Sequence, residues 1–188
     1  APPEMIAQYT RDWGLDRPIW EQYVRYFSAI AQGRLGRSFL DGRDAVEVVF
    51  EHIPKTLQLM GTGFLIMVLL GIPLGVIAAL RRNSWIDRAI MTAAVSGYSI
   101  PNFFLGILLI LIFAVQLRLL PSGGSDSFLN IVLPAITLGT SGAGVLARFA
   151  RSSMLEILNQ PFIRAAEAKG VPWGKVVRGD AMPNAAIP

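Results

Sequence analysis

Cysteine is missing from the chain, which excludes a disulfide scaffold, a cysteine-rich zinc site and a cysteine nucleophile. Charge is scarce: 16% of the residues are Asp, Glu, Lys or Arg, where soluble domains carry about 25%. It is also unevenly spread. No Asp, Glu, Lys, Arg or His occurs in the 25 residues between Lys55 and Arg81, in the 29 between Arg88 and Arg118, or in the 21 between Asp126 and Arg148. Uncharged apolar runs of about 18 residues or more read as membrane-spanning helices, which excludes a soluble enzyme.

Other chemistries are missing too. There is no G-x-x-x-x-G-K-[ST] loop, so the chain has no Walker-type ATP site of its own. Gly142-Ala-Gly144-Val-Leu-Ala147 matches G-x-G-x-x-A but lies in an apolar run, without the strand and acid that give the fingerprint meaning. His52 is the only histidine. Beside Glu47 and Glu51 it reads as a surface residue, so no metal ligand or catalytic residue is assigned. The three apolar runs hold no ionisable residue, whereas ion-coupled transporters place such groups at membrane depth as relays. Any energy source is therefore expected on another chain.

What is present predicts an all-α, polytopic membrane protein with spans at about 57–80, 89–117 and 128–147. At about 1.5 Å rise per residue, the first run reaches ~36 Å, enough to cross a ~30 Å hydrocarbon core. Within it, Gly71-Ile-Pro73-Leu-Gly75 reads as a packing notch, with small residues four apart and a proline that favours a kink. The second run carries Ser96-Gly-Tyr-Ser-Ile-Pro101-Asn-Phe. Serine, proline and glycine weaken a helix there, and backbone freed at membrane depth needs protein or water partners. Tyr98, Ser99, Pro101 and Asn102 are therefore expected to line a pathway near the bundle interior.

Ahead of the spans, residues 1–55 mix seven Lys/Arg and eight Asp/Glu with the aromatics Tyr9, Trp13, Trp20, Tyr23, Tyr26 and Phe27. Trp20, Tyr23, Val24, Phe27, Ile30 and Ala31 fall near helical spacing, predicting a short amphipathic helix against the membrane surface. Gly33-Arg-Leu-Gly36 breaks it, helix resumes after Asp44, and Pro54 is expected to interrupt it again. Behind the spans, residues 148–188 are basic and broken by Pro and Gly. The chain starts at Ala1 and stops at Pro188 in mid-pattern, the expectation for a piece of a longer membrane protein. Three arginines flush against two spans (Arg81, Arg82 and Arg88) place that turn and the tail in the cytoplasm, and residues 1–55 outside. The basic tail has no recognisable nucleic-acid module.

Phe162-Ile-Arg-Ala-Ala-Glu-Ala-Lys-Gly170-Val-Pro-Trp-Gly-Lys-Val-Val-Arg, running to Met182-Pro-Asn-Ala-Ala-Ile-Pro188, resembles the EAA loop of bacterial ATP-binding-cassette (ABC) importer permeases. Leu15-Asp-Arg-Pro, Gly33-Arg-Leu-Gly36-Arg-Ser38, Gly71-Ile-Pro-Leu-Gly75, Gly97-Tyr-Ser-Ile-Pro101-Asn-Phe and Arg151-Ser-Ser-Met-Leu-Glu156 agree in order. Together they resemble the dipeptide/oligopeptide/nickel branch over nearly the whole chain. Arg164 stands where the general motif has its first glutamate, and Asp180-Ala-Met-Pro183 departs from the later I-x-L-P.

The resemblance implies an inner-membrane permease subunit, usually of six spans, holding here the second to fourth. It implies a second permease subunit, two cytoplasmic ATPase subunits carrying ATP and Mg, an extracytoplasmic substrate-binding protein and a lipid surround. Peptides or a related small solute, such as nickel or glutathione, would be the cargo. The coupling loop would lie at about 159–188, with Arg164, Ala165, Ala166, Glu167, Lys169, Gly170, Lys175 and Arg178 on or near the docking surface. The alternatives are a structural or assembly subunit of a larger complex and a secondary transporter.

Overall fold

The computed structural model describes residues 6–7, 10–11, 14–38 and 42–186. Tyr9 and Trp13 lie outside the described residues. The chain divides into two compact units, Ala1–Thr56 and Leu57–Pro188. Among the described residues both are helical, apart from one isolated antiparallel bridge between Arg37 and Asp44.

In the first unit, α1 covers Ile19–Ala31 and follows Pro18, whose fixed φ suits a helix start. None of its residues is buried. Tyr23 meets the Phe27 ring tilted and Tyr26 meets it edge-on, at 4.9 and 5.6 Å between ring centroids. Gly33 (φ 74°) and Gly36 (φ 83°) then turn the chain through left-handed backbone that only glycine adopts freely.

Helix α2 spans Ala45–Leu80, and Asp44 caps it by accepting the Val46 N–H at 2.8 Å. The expected interruption at Pro54 is absent: helix runs through that residue and through Pro73. An internal proline removes one backbone hydrogen bond, and the intact turns on either side carry the helix across. Helix α3 (Trp85–Ser99) and α4 (Asn102–Leu109) are followed by a π-helical stretch, Ile110–Gln116, and then by α5, Leu129–Leu158. Two helices, α2 and α5, are long and apolar enough to cross a membrane; a third crossing requires Trp85–Ser99 and Asn102–Gln116 to act as one span bent by 98°.

The break sits where the sequence placed a weakened helix. Ile100 is extended (φ −76°, ψ 122°), as the residue before a proline tends to be, and Pro101 opens α4. Hydroxyls on these helices bond their own backbone, as in Thr137 Oγ1 to the Leu133 carbonyl (2.8 Å) and Ser99 Oγ to that of Val95 (2.8 Å). That satisfies polar groups where water is absent.

Helix α5 is the centre of the second unit. It runs parallel to α2 along a seam without room for side chains: a Cβ on Gly75 would lie 2.5 Å from the Ala147 carbonyl oxygen and 2.7 Å from the Ala150 Cβ. One on Gly71 would lie 2.8 Å from the Leu146 Cβ. The expected notch is therefore built by Gly71 and Gly75. Pro73, two residues from each and so on the opposite helix face, is exposed and takes no part.

Gly75→Val in the full-length protein should cost about 1–3 kcal/mol by overpacking. Gly61→Val, on the same helix with nothing within 4 Å of its Cβ position, should change stability by less than about 0.5 kcal/mol. Thermal unfolding of the two variants in detergent compares them.

Candidate functional site

The residues after α5 fold into a small platform on the ends of α2 and α5. Helix α5 stops at Leu158, and Pro161 opens α6 (Pro161–Ala168). A short turn, α7 (Trp173–Lys175), leads into a π-helical stretch, Val176–Ala181, and then α8, Met182–Ala185. Ile163, Val176, Val177 and Ala181 are buried against Ala79 of α2 and Met154 of α5. Ala166, Val171 and Ala185 close over them. At about 1.5–3 kcal/mol for each large apolar side chain buried, this core holds an otherwise short-helical segment in place. Met154 and Val176 are fully buried and Ile163 is 1% exposed.

Gly170 ends α6 in left-handed backbone, with φ 77°. Its N–H donates to the Glu167 carbonyl (2.9 Å), and the Val171 N–H reaches back to that of Ala166 (3.2 Å). Those two bonds, with Val171 folded inward, make a Schellman stop. The motif thereby sets the direction in which the chain leaves α6.

Of the eight residues assigned to this loop, seven are exposed: Arg164, Ala165, Glu167, Lys169, Gly170, Lys175 and Arg178. Ala166 is not, because it packs on the core. Four cations against one carboxylate make the outer face basic. Two residues that the sequence reading missed are exposed on the same segment, Phe162 at 43% and Trp173 at 47%. Large exposed aromatics ringed by charge are what anchors a protein partner.

The four residues expected to line a pathway, Tyr98, Ser99, Pro101 and Asn102, come together at the α3–α4 break and are all exposed; none is enclosed by the described helices. Arg148 of α5 places its guanidinium 5.5 Å from the Tyr98 ring centroid, a cation–π distance. In the first unit, His52 Nδ1 is bonded to the Val48 carbonyl at 2.7 Å.

Sequence reasoning also missed an ion pair. Asp87 in the first turn of α3 is only 4% exposed. It takes Arg151 of α5 in both carboxylate oxygens, Nε to Oδ1 at 2.6 Å and Nη2 to Oδ2 at 2.7 Å. The Asn83 N–H adds a third donor at 2.9 Å. Its partners are 64 residues apart in the chain, so no spacing rule could join them.

Gly170→Ala should cost the stop about 1–2 kcal/mol and speed exchange of the Val171 amide by roughly five- to thirty-fold. Gly174→Ala, at an open position without left-handed backbone, should leave that rate unchanged. Hydrogen exchange read by mass spectrometry checks both.

Residues 71–188 match the family described as binding-protein-dependent transport system inner membrane component. Over all 188 residues the chain is 41% identical to the glutathione transport system permease protein GsiC of Escherichia coli O6:H1, 40% identical to that of Escherichia coli K12 and 42% identical to that of Salmonella paratyphi A. It spans 61% of the length of each of these curated relatives.

Proposed function

Since the chain belongs to the family of inner membrane components of binding-protein-dependent transport systems, we propose that it forms part of the translocation pathway of an ABC importer. Its cargo would be glutathione or another small peptide-like solute. The arginine turn and the platform face the cytoplasm of a bacterial inner membrane, and residues 1–55 face outward. A binding protein delivers solute from outside, a second permease subunit completes the pathway, and two ATPase subunits hold ATP and Mg. The chain contributes no catalytic residue and moves solute by changing shape.

The observation that carries this reading is the platform. A flexible tail would not need a core of Ile163, Val176, Val177 and Ala181 set against α2 and α5. A surface that must transmit force does. Phe162, Trp173, Arg164, Lys169, Lys175 and Arg178 form its outward face, with chemistry suited to a groove on an ATPase subunit. The names of the relatives support glutathione as cargo, and the lack of ionisable residues in the apolar runs supports an energy source on a partner.

Single cysteines at Ala165 and Ala168, both exposed on α6, should crosslink to a co-expressed ATPase subunit in the full-length protein. One at Ile163, buried beneath them, should not. Equal crosslinking at all three, or at none, defeats the docking surface. Uptake that collapses with the proton gradient while ATP is held constant defeats the ABC reading in favour of a secondary transporter.

A further inference from the structure

Two of the contacts between helix α3 and α5 differ sharply in character. Near the middle, Gly144 meets the α3 backbone directly: a Cβ there would lie 2.5 Å from the Ala94 carbonyl oxygen. Contacts between such small residues bring helix axes close but offer no side chain to resist rotation about the crossing. At one end stands the Asp87–Arg151 pair. Asp87 lies seven residues from Ala94 and Arg151 seven from Gly144, so the pair sits about 10 Å from the crossing along both helices. Two planar groups joined by parallel hydrogen bonds are directional, and a directional contact 10 Å from a smooth crossing fixes an angle.

Each end of this arrangement leads to a place already described. Arg151 lies one helical turn before Met154, the fully buried residue on which Ile163 and Val176 of the platform pack. Asp87 starts the 15-residue helix whose other end is the Ile100–Pro101 break beside Tyr98, Ser99 and Asn102. The carboxylate is held by Arg151 and Asn83, and no other charged side chain is buried among the described residues. A partly buried ion pair is a weak source of stability, so its geometry, more than its energy, is what it contributes.

We propose that Asp87 and Arg151 are a positioning pair that sets the angle of α3 on its Gly144 crossing, tying movement of the platform to the break at Pro101. This rests on the transport reading given above. The pair touches neither solute nor ATP. It joins, by a directional contact, two helices otherwise held by the Gly144 crossing and the softer Arg148–Tyr98 contact, so displacement of the platform moves the pathway end of α3 in the opposite sense.

The test uses the full-length permease assembled with its partner permease, ATPase subunits and binding protein in liposomes. The variants are Asp87→Asn, which keeps shape and loses charge, and Arg151→Lys, which keeps charge and loses the fork. Arg82→Gln is the control: it is a nearby, exposed arginine outside the pair. Three quantities are read: ATPase subunit retained on purification, ATP hydrolysed, and solute taken up per ATP. Both pair variants should retain the ATPase subunit and hydrolyse ATP, while solute per ATP falls about tenfold in Asp87→Asn and by less in Arg151→Lys. Arg82→Gln should match the parent.

A second readout works on whatever fraction of each variant assembles. Thiol labelling of Asn102→Cys should differ between nucleotide-free and ATP-trapped complexes, and Asp87→Asn should abolish that difference. A merely structural pair would lower the amount of complex and leave both solute per ATP and the labelling difference intact, and that result overturns the proposal. The parent complex separates the two levels of inference. If it shows no ATP-driven uptake, the transport reading falls and takes the pair with it; if it does, unaltered ratios in both variants overturn the pair alone.

Discussion

Helix α5 has no room on either side. Gly71 and Gly75 of α2 meet the Leu146–Arg151 stretch on one flank, and Ala94 of α3 meets Gly144 on the other, each too close for a further carbon. In a membrane, where lipid tails are as apolar as leucine, water does not press helices together; close backbone approach and van der Waals contact do. The seam therefore requires glycine, and the placement of every later element depends on it. The platform inherits its footing from α5, and so does the level at which Arg151 meets Asp87.

The platform shows how a short segment becomes rigid without long helices. Isolated helices under about 12 residues are marginal in water, and α6, α7 and α8 are all shorter than that. Their order comes from one shared core and one glycine stop. The segment is held in place from beneath, which leaves its outer side chains uncovered. Phe162 and Trp173 are exposed while Ile163 and Val176 are buried, so residues close in the chain sit on opposite sides of the segment.

The coupling of distant parts rests on a contrast in contact type. Smooth glycine–alanine crossings permit rotation, whereas the forked Arg151–Asp87 contact resists it. A bundle that must change shape needs both. The 98° break after α3 is where such a rotation has the greatest consequence, because beyond Pro101 the chain takes a new direction.

Several features were legible in the sequence because one residue's own chemistry decides them. Gly170 and Gly33 require backbone that only glycine adopts freely, Pro101 restricts the residue before it, and charge-free runs of 21 to 29 residues suit only an apolar surround. Gly71 and Gly75 belong here too, since spacing alone puts them on one face. Pro54 was misjudged because a missing hydrogen bond is a local cost, and whether a helix continues past it depends on the turns on either side. The exposure of Phe162 and Trp173, the inward turn of Ala166 and the union of Asp87 with Arg151 lay beyond reach, being relations between segments. Composition and spacing determined that this is an all-helical membrane protein with a broken second run and a glycine-stopped loop. Only the tertiary structure decided which face of that loop is free and which two charges meet, because both depend on how α5 is seated between its neighbours.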